Sequence, residues 1–362
     1  VSGTSRANGG PVITAWSAVS PYGIGRDAFS AGIRAGRPTA AVLTGEEFSG
    51  PDERAHLVPG FVIKDVLGRK GTRSMDRVTG LAVTAVRELL AEDGGTPESG
   101  DDVGLVLGTT TGSAQSMMDI TRDTLVHEKP FYIDPSRIPN AIMNCPAGQC
   151  AIWYGLRGPN TTVAAGRSSG LLALNYARRL LASGRARTVL CGAAEEYSSA
   201  RAWLEWHTRR PDEGDTVLGE GCAVLRLRPA DAEGEGLAEV LAVESGVVGA
   251  AGAAHSLAAA VRRAMRRAGA EPDDVWAVSA SRPAGVLGEQ ERAGLDVVFG
   301  QPHVRWLDHS GWTGDTAAAT GALQLTTVLA VSEEDSQARG RVAVVTSLDR
   351  DGALACAVLR LL

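Results

Sequence analysis

The stretch Thr161-Thr162-Val163-Ala164-Ala165-Gly166-Arg167-Ser168-Ser169-Gly170-Leu171-Leu172-Ala173-Leu174 constrains this chain more than any other. A β-branched run ends in small residues and Gly166, then passes straight into a helical period. Leu171, Leu174, Ala177 and Leu181 fall on one helical face, and Ser183-Gly184 stops the helix. Gly184 suits the left-handed position past a helix end, and Arg178 and Arg179 lie near the terminus that favours cations. Such a strand-turn-helix elbow exposes one side chain at the end of a sheet, over a helix N-terminus. An enzyme places a nucleophile there, because the partial positive charge stabilises an anion. The side chain in that position is Arg167, which stays protonated and cannot act as a nucleophile.

The remaining chain alternates buried strands with helices. Val12 to Ser20 reads as a strand, followed by a Pro/Gly turn and a helix from Asp27 to Ala35. Val78 to Ala91 is an amphipathic helix behind Met75-Asp76-Arg77, and Gly94 to Asp102 is a loop. Val103 to Thr109 is a continuous apolar run, as expected of a fully buried strand, and Arg187 to Ala194 reads as another buried strand. Between them a helix spans Ala114 to Val126. Pro229 to Gly236 is a hydrophilic linker that divides the chain. Beyond it come a strand from Ala238 to Val243, a helix from Ser256 to Ala268, a strand from Val275 to Ala280 and a helix from Gln290 to Phe299. A long Ala-rich helix from Thr313 to Val331 and strands at Val342–Thr346 and Ala355–Leu361 close the chain. This alternation argues for α/β layers, and no tight internal sequence repeat is visible.

Composition removes several classes of function. With 44% hydrophobic and 22% charged residues the chain suits a globular protein. The net charge is −6 and no basic run is long enough for a nucleic-acid footprint. No apolar run is long enough to span a membrane. The segment Val1 to Pro11 lacks the apolar core of a signal peptide, so a cytoplasmic location is expected. The five cysteines, Cys145, Cys150, Cys191, Cys222 and Cys356, are odd in number and have no metal-site spacing. They read as small buried hydrophobes. Neither a metal nor a cofactor is expected.

Several motifs together resemble the beta-ketoacyl synthases, a branch of the thiolase-fold condensing enzymes. Ala165-Gly166-Arg167-Ser168-Ser169-Gly170 resembles the family's T-A-C-S-S-G, with Arg167 where the acyl-carrying Cys stands. Val12 to Gly23 resembles the family's opening strand and S-P-x-G turn. Ala147-Gly148, Ile152 and Gly155-Leu156-Arg157-Gly158-Pro159 resemble A-G-x-x-x-I-x-x-G-L-x-G-P. Gly219-Glu220-Gly221-Cys222-Ala223-Val224-Leu225-Arg226-Leu227 resembles G-E-G-A-A-V-L-V-L. Two histidine motifs of the family fall on Ser279-Ala280-Ser281-Arg282-Pro283 and on Ser310 to Gly321. Ser281 replaces the first His, Asp315 the second, and Ser310 the Lys of the second motif. The family's closing G-F-G-G-x-N loop is eroded to Leu348-Asp349-Arg350-Asp351-Gly352-Ala353-Leu354.

This resemblance implies a thiolase fold: two similar halves, 11–228 and 237–362, each a helix-covered mixed five-stranded sheet in an α-β-α-β-α stack. A readable frame with all three catalytic positions changed resembles the chain length factor, the non-catalytic subunit of a type II polyketide ketosynthase heterodimer. The chain's brevity and its Arg resemble the polyene-forming, highly reducing systems. The implied partners are a catalytic ketosynthase subunit, an acyl carrier protein and a growing polyketide or polyenoyl chain. Gln115, Met117, Met118, Asp119 and Arg122 lie where the family places tunnel residues that set chain length. Arg262, Arg263, Arg266 and Arg267 are either a solvated helix face or a docking surface for an acidic carrier protein. Because the three catalytic side chains converge in the fold, Arg167 and Asp315 are expected to form a salt bridge in the old acyl pocket, with Ser281 nearby. The alternatives are an active thiolase-fold acyltransferase with a displaced nucleophile (Ser168 or a cysteine, with His309 as a displaced histidine) and a self-associating scaffold.

Overall fold

The structure is a computed structural model that describes residues 9–45, 48–92, 100–232, 236–300 and 304–362. Parts of the N-terminal segment, of the 94–102 loop and of the 229–236 linker lie outside the described residues. The first half supplies strands β1 (Val12–Ser20), β2 (Val103–Thr109), β3 (Asn160–Ala164), β4 (Thr188–Glu195) and β5 (Gly221–Arg228). The second supplies β6 (Ala238–Val247), β7 (Val275–Ser279), β8 (Arg305–Leu307), β9 (Val342–Leu348) and β10 (Ala353–Leu361). The spatial order is β3-β2-β4-β5-β1 in one half and β8-β7-β9-β10-β6 in the other. In each, the last strand in sequence runs antiparallel to its neighbours while the middle three are parallel. The duplication absent from the sequence is therefore complete in the topology. The two halves join through β1 and β6, where Val12 faces Glu239 and Ile13 faces Ala238.

Side-chain alternation along the strands builds the layers, because neighbouring residues point to opposite faces of a sheet. Ala223, Leu225 and Leu227 of β5, with Ala355, Ala357 and Leu359 of β10, face a central core. Two helices fill it, α5 (Ser169–Ala182) through Leu171, Leu174 and Leu181, and α9 (Thr320–Ser332) through Leu323, Val328 and Leu329. The opposite face of the first sheet, with Cys222 and Val224, is covered by α2 (Arg77–Ala91) and α4 (Cys145–Tyr154). Val342, Val344, Cys356 and Val358 on the outer face of the second are covered by α7 (Ala253–Ala268) and α8 (Val286–Phe299). The result is the expected α-β-α-β-α stack. From Thr320 to Ala330 every residue of α9 is buried, so its apolar run has no polar face to show. Among the described residues no helix is long and apolar enough to cross a membrane.

Three helix boundaries differ from expectation. Helices α7 and α8 begin earlier than Ser256 and Gln290, each directly after a glycine of positive φ, Gly252 and Gly285. The expected helix from Thr313 to Val331 is broken. A short turn spans Ser310–Thr313, Gly314 adopts φ 74°, Ala317–Ala319 form a 3₁₀ turn, and only Thr320 starts the long helix. Asp315 sits in the break because its main chain bridges to Leu218 and its side chain is engaged elsewhere. The first helix, α1 (Arg26–Ala35), packs against α9, and two further helices bear on the site: α3 (Ala114–Val126) and α6 (Ser199–Thr208).

Candidate functional site

The elbow forms between β3 and α5. Gly166 takes φ 52°, a left-handed conformation that only glycine adopts freely. Gly166–Ser168 make one 3₁₀ turn, and α5 starts at Ser169. The Ser169 hydroxyl donates to the Gly166 carbonyl (2.7 Å) and accepts from the Ala165 amide (2.9 Å), fixing the turn. The Arg167 guanidinium then points across to the second half, where Nη1 and Nη2 donate to the two oxygens of Asp315 at 2.7 and 2.8 Å. The expected pair is present and bidentate. Both side chains are largely buried, with exposures of 14% and 18%, and they line a cavity of about 840 Å³.

Burial alone would disfavour both charges, and each partner more than offsets that for the other. Burial raises the Asp315 carboxyl, but the Arg167 charge and hydrogen bonds, followed by Arg201, hold it well below the usual carboxylate range. The same pairing lifts the guanidinium further above its ordinary value in spite of desolvation. Asp315 Oδ1 also accepts from the Ala317 amide (2.9 Å), and Arg201 Nη2 donates to the Asp315 carbonyl (2.9 Å). These contacts pull Asp315 out of any helix. The Arg167 amide donates at 2.7 Å to Oδ2 of Asp349, from the loop between β9 and β10. Asp349 is a site residue that the sequence motifs did not single out, although the eroded loop containing it was a signal.

Ser281 does not join the pair. It is fully buried, and its amide and hydroxyl donate to Glu291 (3.1 and 3.0 Å), which also accepts from the Arg282 amide and the Thr346 hydroxyl. A buried carboxyl on α8 with room for four donors explains why a small hydroxyl turns toward it. His309 is fully buried beside Arg167 and Asp315, and neither ring nitrogen has a hydrogen-bond partner. Burial lowers its pKa to about 4, so it is a neutral ring at physiological pH. The Ser168 hydroxyl meets the Ser347 hydroxyl (3.3 Å) and the Ala353 carbonyl (3.5 Å), and no base. Burial pushes the thiols of all but the half-buried Cys145 far above the normal cysteine range, and raises that one as well.

The chain-length candidates divide between two faces of α3. Gln115 and Asp119 line a cavity of about 940 Å³ together with Asp76, Glu196, Arg137 and Asn140. Gln115 donates to Asp119 (3.0 Å) and accepts from the Ala200 amide (3.1 Å), while Arg137 pairs with Asp119 at 3.1 Å. Glu196 is buried against the start of α2, and burial, with the nearby Asp76 charge, raises its pKa to about 8. Met117, Met118 and Arg122 lie off this cavity. Met118 is 40% exposed, and Arg122 reaches Asp119 and Asp123 at 3.5 and 3.6 Å. On α7, Arg263 and Arg267 both pair with Glu244, Arg262 donates to the Val297 carbonyl (3.4 Å), and Arg266 is exposed.

Comparison with known proteins places this geometry. The model of the beta-ketoacyl synthase N-terminal domain matches residues 11–232. A 3-oxoacyl-[acyl-carrier-protein] synthase 2 of Rhizobium meliloti is 29% identical over 245 residues, 60% of this chain and 58% of that protein, so the match spans less than two thirds of its length. The solved ishigamide ketosynthase/chain length factor is 43% identical, with a TM-score of 0.92 over 98% of this chain and all of that one. A type II polyketide synthase acyl-carrier protein in complex with its ketosynthase bound to the hexaketide matches at TM-score 0.81 over 98% of this chain and all of that one. Its 18% identity makes that a likeness of fold alone.

Proposed function

This chain belongs to the beta-ketoacyl synthase family, and on that premise we propose that it is the chain length factor of a type II polyketide synthase. It pairs with a catalytic ketosynthase subunit and contributes one wall of the acyl tunnel, while the partner carries the chemistry. One observation carries this reading. The elbow that would present a nucleophile instead holds Arg167 in a bidentate, buried pair with Asp315. A guanidinium fixed in this way has no lone pair to offer, and the neighbouring Ser168 hydroxyl meets only the Ser347 hydroxyl and the Ala353 carbonyl, neither of them a base.

The likeness to a ketosynthase/chain length factor supports the pairing. So do the exposed apolar side chains of this half, among them Leu125, Val126, Phe131, Ile142 and Ile152. Edge strand β3 ends the sheet on the same half. An acyl carrier protein and a growing polyketide or polyenoyl chain are the remaining partners. Gln115 and Asp119 form the chain-facing floor in this proposal, and Met118 lies toward the partner.

The test is co-expression with a catalytic ketosynthase of the same biosynthetic system, native mass spectrometry, and elongation from malonyl-carrier protein. A one-to-one heterodimer whose activity depends only on the partner's cysteine is expected, with products shortened by Gln115→Trp or shifted by Met118→Trp. A homodimer that turns over acyl substrates alone would overturn the proposal.

A further inference from the structure

The 3₁₀ turn that leads into α5 presents the Arg167 amide to a carboxylate of the chain itself. Backbone amides at a helix N-terminus point outward with the positive end of the helix dipole behind them. Here the Arg167 amide is already bound to Asp349 Oδ2 at 2.7 Å. The carboxylate lies so close to the turn that a Cβ on Gly166 would collide with it. Its second oxygen accepts from the Asp351 amide (3.0 Å), and the Asp349 amide donates to the Ala353 carbonyl (2.8 Å), so the side chain is held by its own loop.

That loop is tied to the other half of the molecule. Arg350 is clasped by Glu205 of α6 and by Glu213 (3.4 Å), and Arg210 donates to the Arg350 carbonyl (3.1 Å). Gly166, Arg167 and Asp349 line a space of about 150 Å³, while Arg167 and Asp315 also line a larger cavity of about 840 Å³ that Asp349 does not border.

We propose that Asp349 is an internal occupant of the elbow's anion position and closes this subunit to acyl thioesters independently of the residue at 167. The idea rests on the chain length factor reading but makes a separate claim. Restoring a thiol would not restore an acyl site, because the carboxylate fills the place of the thioester oxygen. A neighbouring negative charge also disfavours a thiolate.

The experiment uses the co-purified heterodimer with Arg167→Cys and Asp315→His, which removes the pair without leaving a buried lone charge. The same protein is then given Asp349→Gly or, as the conservative change, Asp349→Asn. Iodoacetamide alkylation of the introduced thiol is followed by peptide mass mapping, which separates it from the partner's cysteine. Acylation from an acyl-carrier thioester is read in the same way. With Asp349 present, alkylation is expected to be at least tenfold slower than with Asp349→Gly, and no acylation is expected. Equal alkylation rates, or acylation with Asp349 in place, would overturn the proposal. If the Gly variant does not pair with its partner, Asp349→Asn gives the comparison. Heterodimer formation and product length are measured on the parent, so failure here leaves the chain length factor reading to stand or fall separately.

Discussion

Arg167 and Asp315 are stable only together. Removing one partner of a buried pair leaves an uncompensated charge, at a cost of about 3–5 kcal/mol. Arg167→Met should therefore destabilise strongly, while Arg167→Met with Asp315→Leu should recover most of the loss. Denaturant unfolding of the two variants beside the parent checks this. The pair also sets an acid limit. The Asp315 pKa is lower folded than unfolded, so its contribution is complete above about pH 4 and is lost as pH falls toward the folded value. The double variant should lack this part of the acid-induced loss. Glu196 has the opposite sign. Its folded pKa, about 8, lies above the ordinary value of 4.5 for an unfolded glutamate, so stability from this residue falls as pH rises between those values. Glu196→Gln should leave the unfolding midpoint nearly unchanged at pH 5 and raise it at pH 8. The pair was legible in the sequence because two catalytic motifs were each altered at their reactive position, one to a cation and one to an anion. Ser281 was not legible in the same way, because its direction is decided by Glu291, a carboxyl ten residues away that collects four donors.

At the scale of elements, the elbow was readable and the break at Asp315 was not. Strand β3, the turn and α5 lie where the β-branched run, Gly166 and the leucine period put them. The region from Thr313 to Val331 has the composition of one continuous helix. What divides it is tertiary: the Asp315 main chain bridges to Leu218 and its carboxylate is claimed by Arg167. Gly314 and Ala317 absorb the change of direction, the latter at φ 39°, where a Cβ is strained. Ala317→Gly should therefore be neutral or stabilising by up to about 1 kcal/mol, unlike an ordinary Ala→Gly change within a helix. Gly166→Ala should do the reverse and destabilise by more than about 1 kcal/mol. It combines a left-handed backbone with a clash against Asp349. Thermal unfolding of both variants decides between strain and simple helix propensity: propensity alone predicts that Ala317→Gly is harmful.

For the whole molecule, the two halves share a strand order that no sequence repeat announces, because a thiolase-type half needs only the alternation of buried and covering segments. Hydrophobic pattern alone leaves many such sequences equivalent, so the duplication survives in topology after it has faded from the residues. What the halves do not share is their outer surface. The first carries Phe131, 70% exposed, and Ile152, 75% exposed, together with the free edge of β3, and the second has fewer exposed large apolar side chains among its described residues. Apolar surface in one contiguous region marks an interface more strongly than the same residues scattered, and an unpaired strand edge adds main-chain donors and acceptors to it. If the partner ketosynthase covers this face, a charge placed there must be desolvated on pairing. Ile152→Asp and Phe131→Asp should then each weaken the heterodimer at least tenfold, about 1.4 kcal/mol or more. Val297→Asp is the control: Val297 is 65% exposed on α8 of the other half, and changing it should leave the affinity unaltered. Native mass spectrometry across a dilution series measures all three. Loss of pairing in the first two alone locates the partner on this face, whereas equal behaviour of all three would move the interface elsewhere and leave β3 as an ordinary exposed edge.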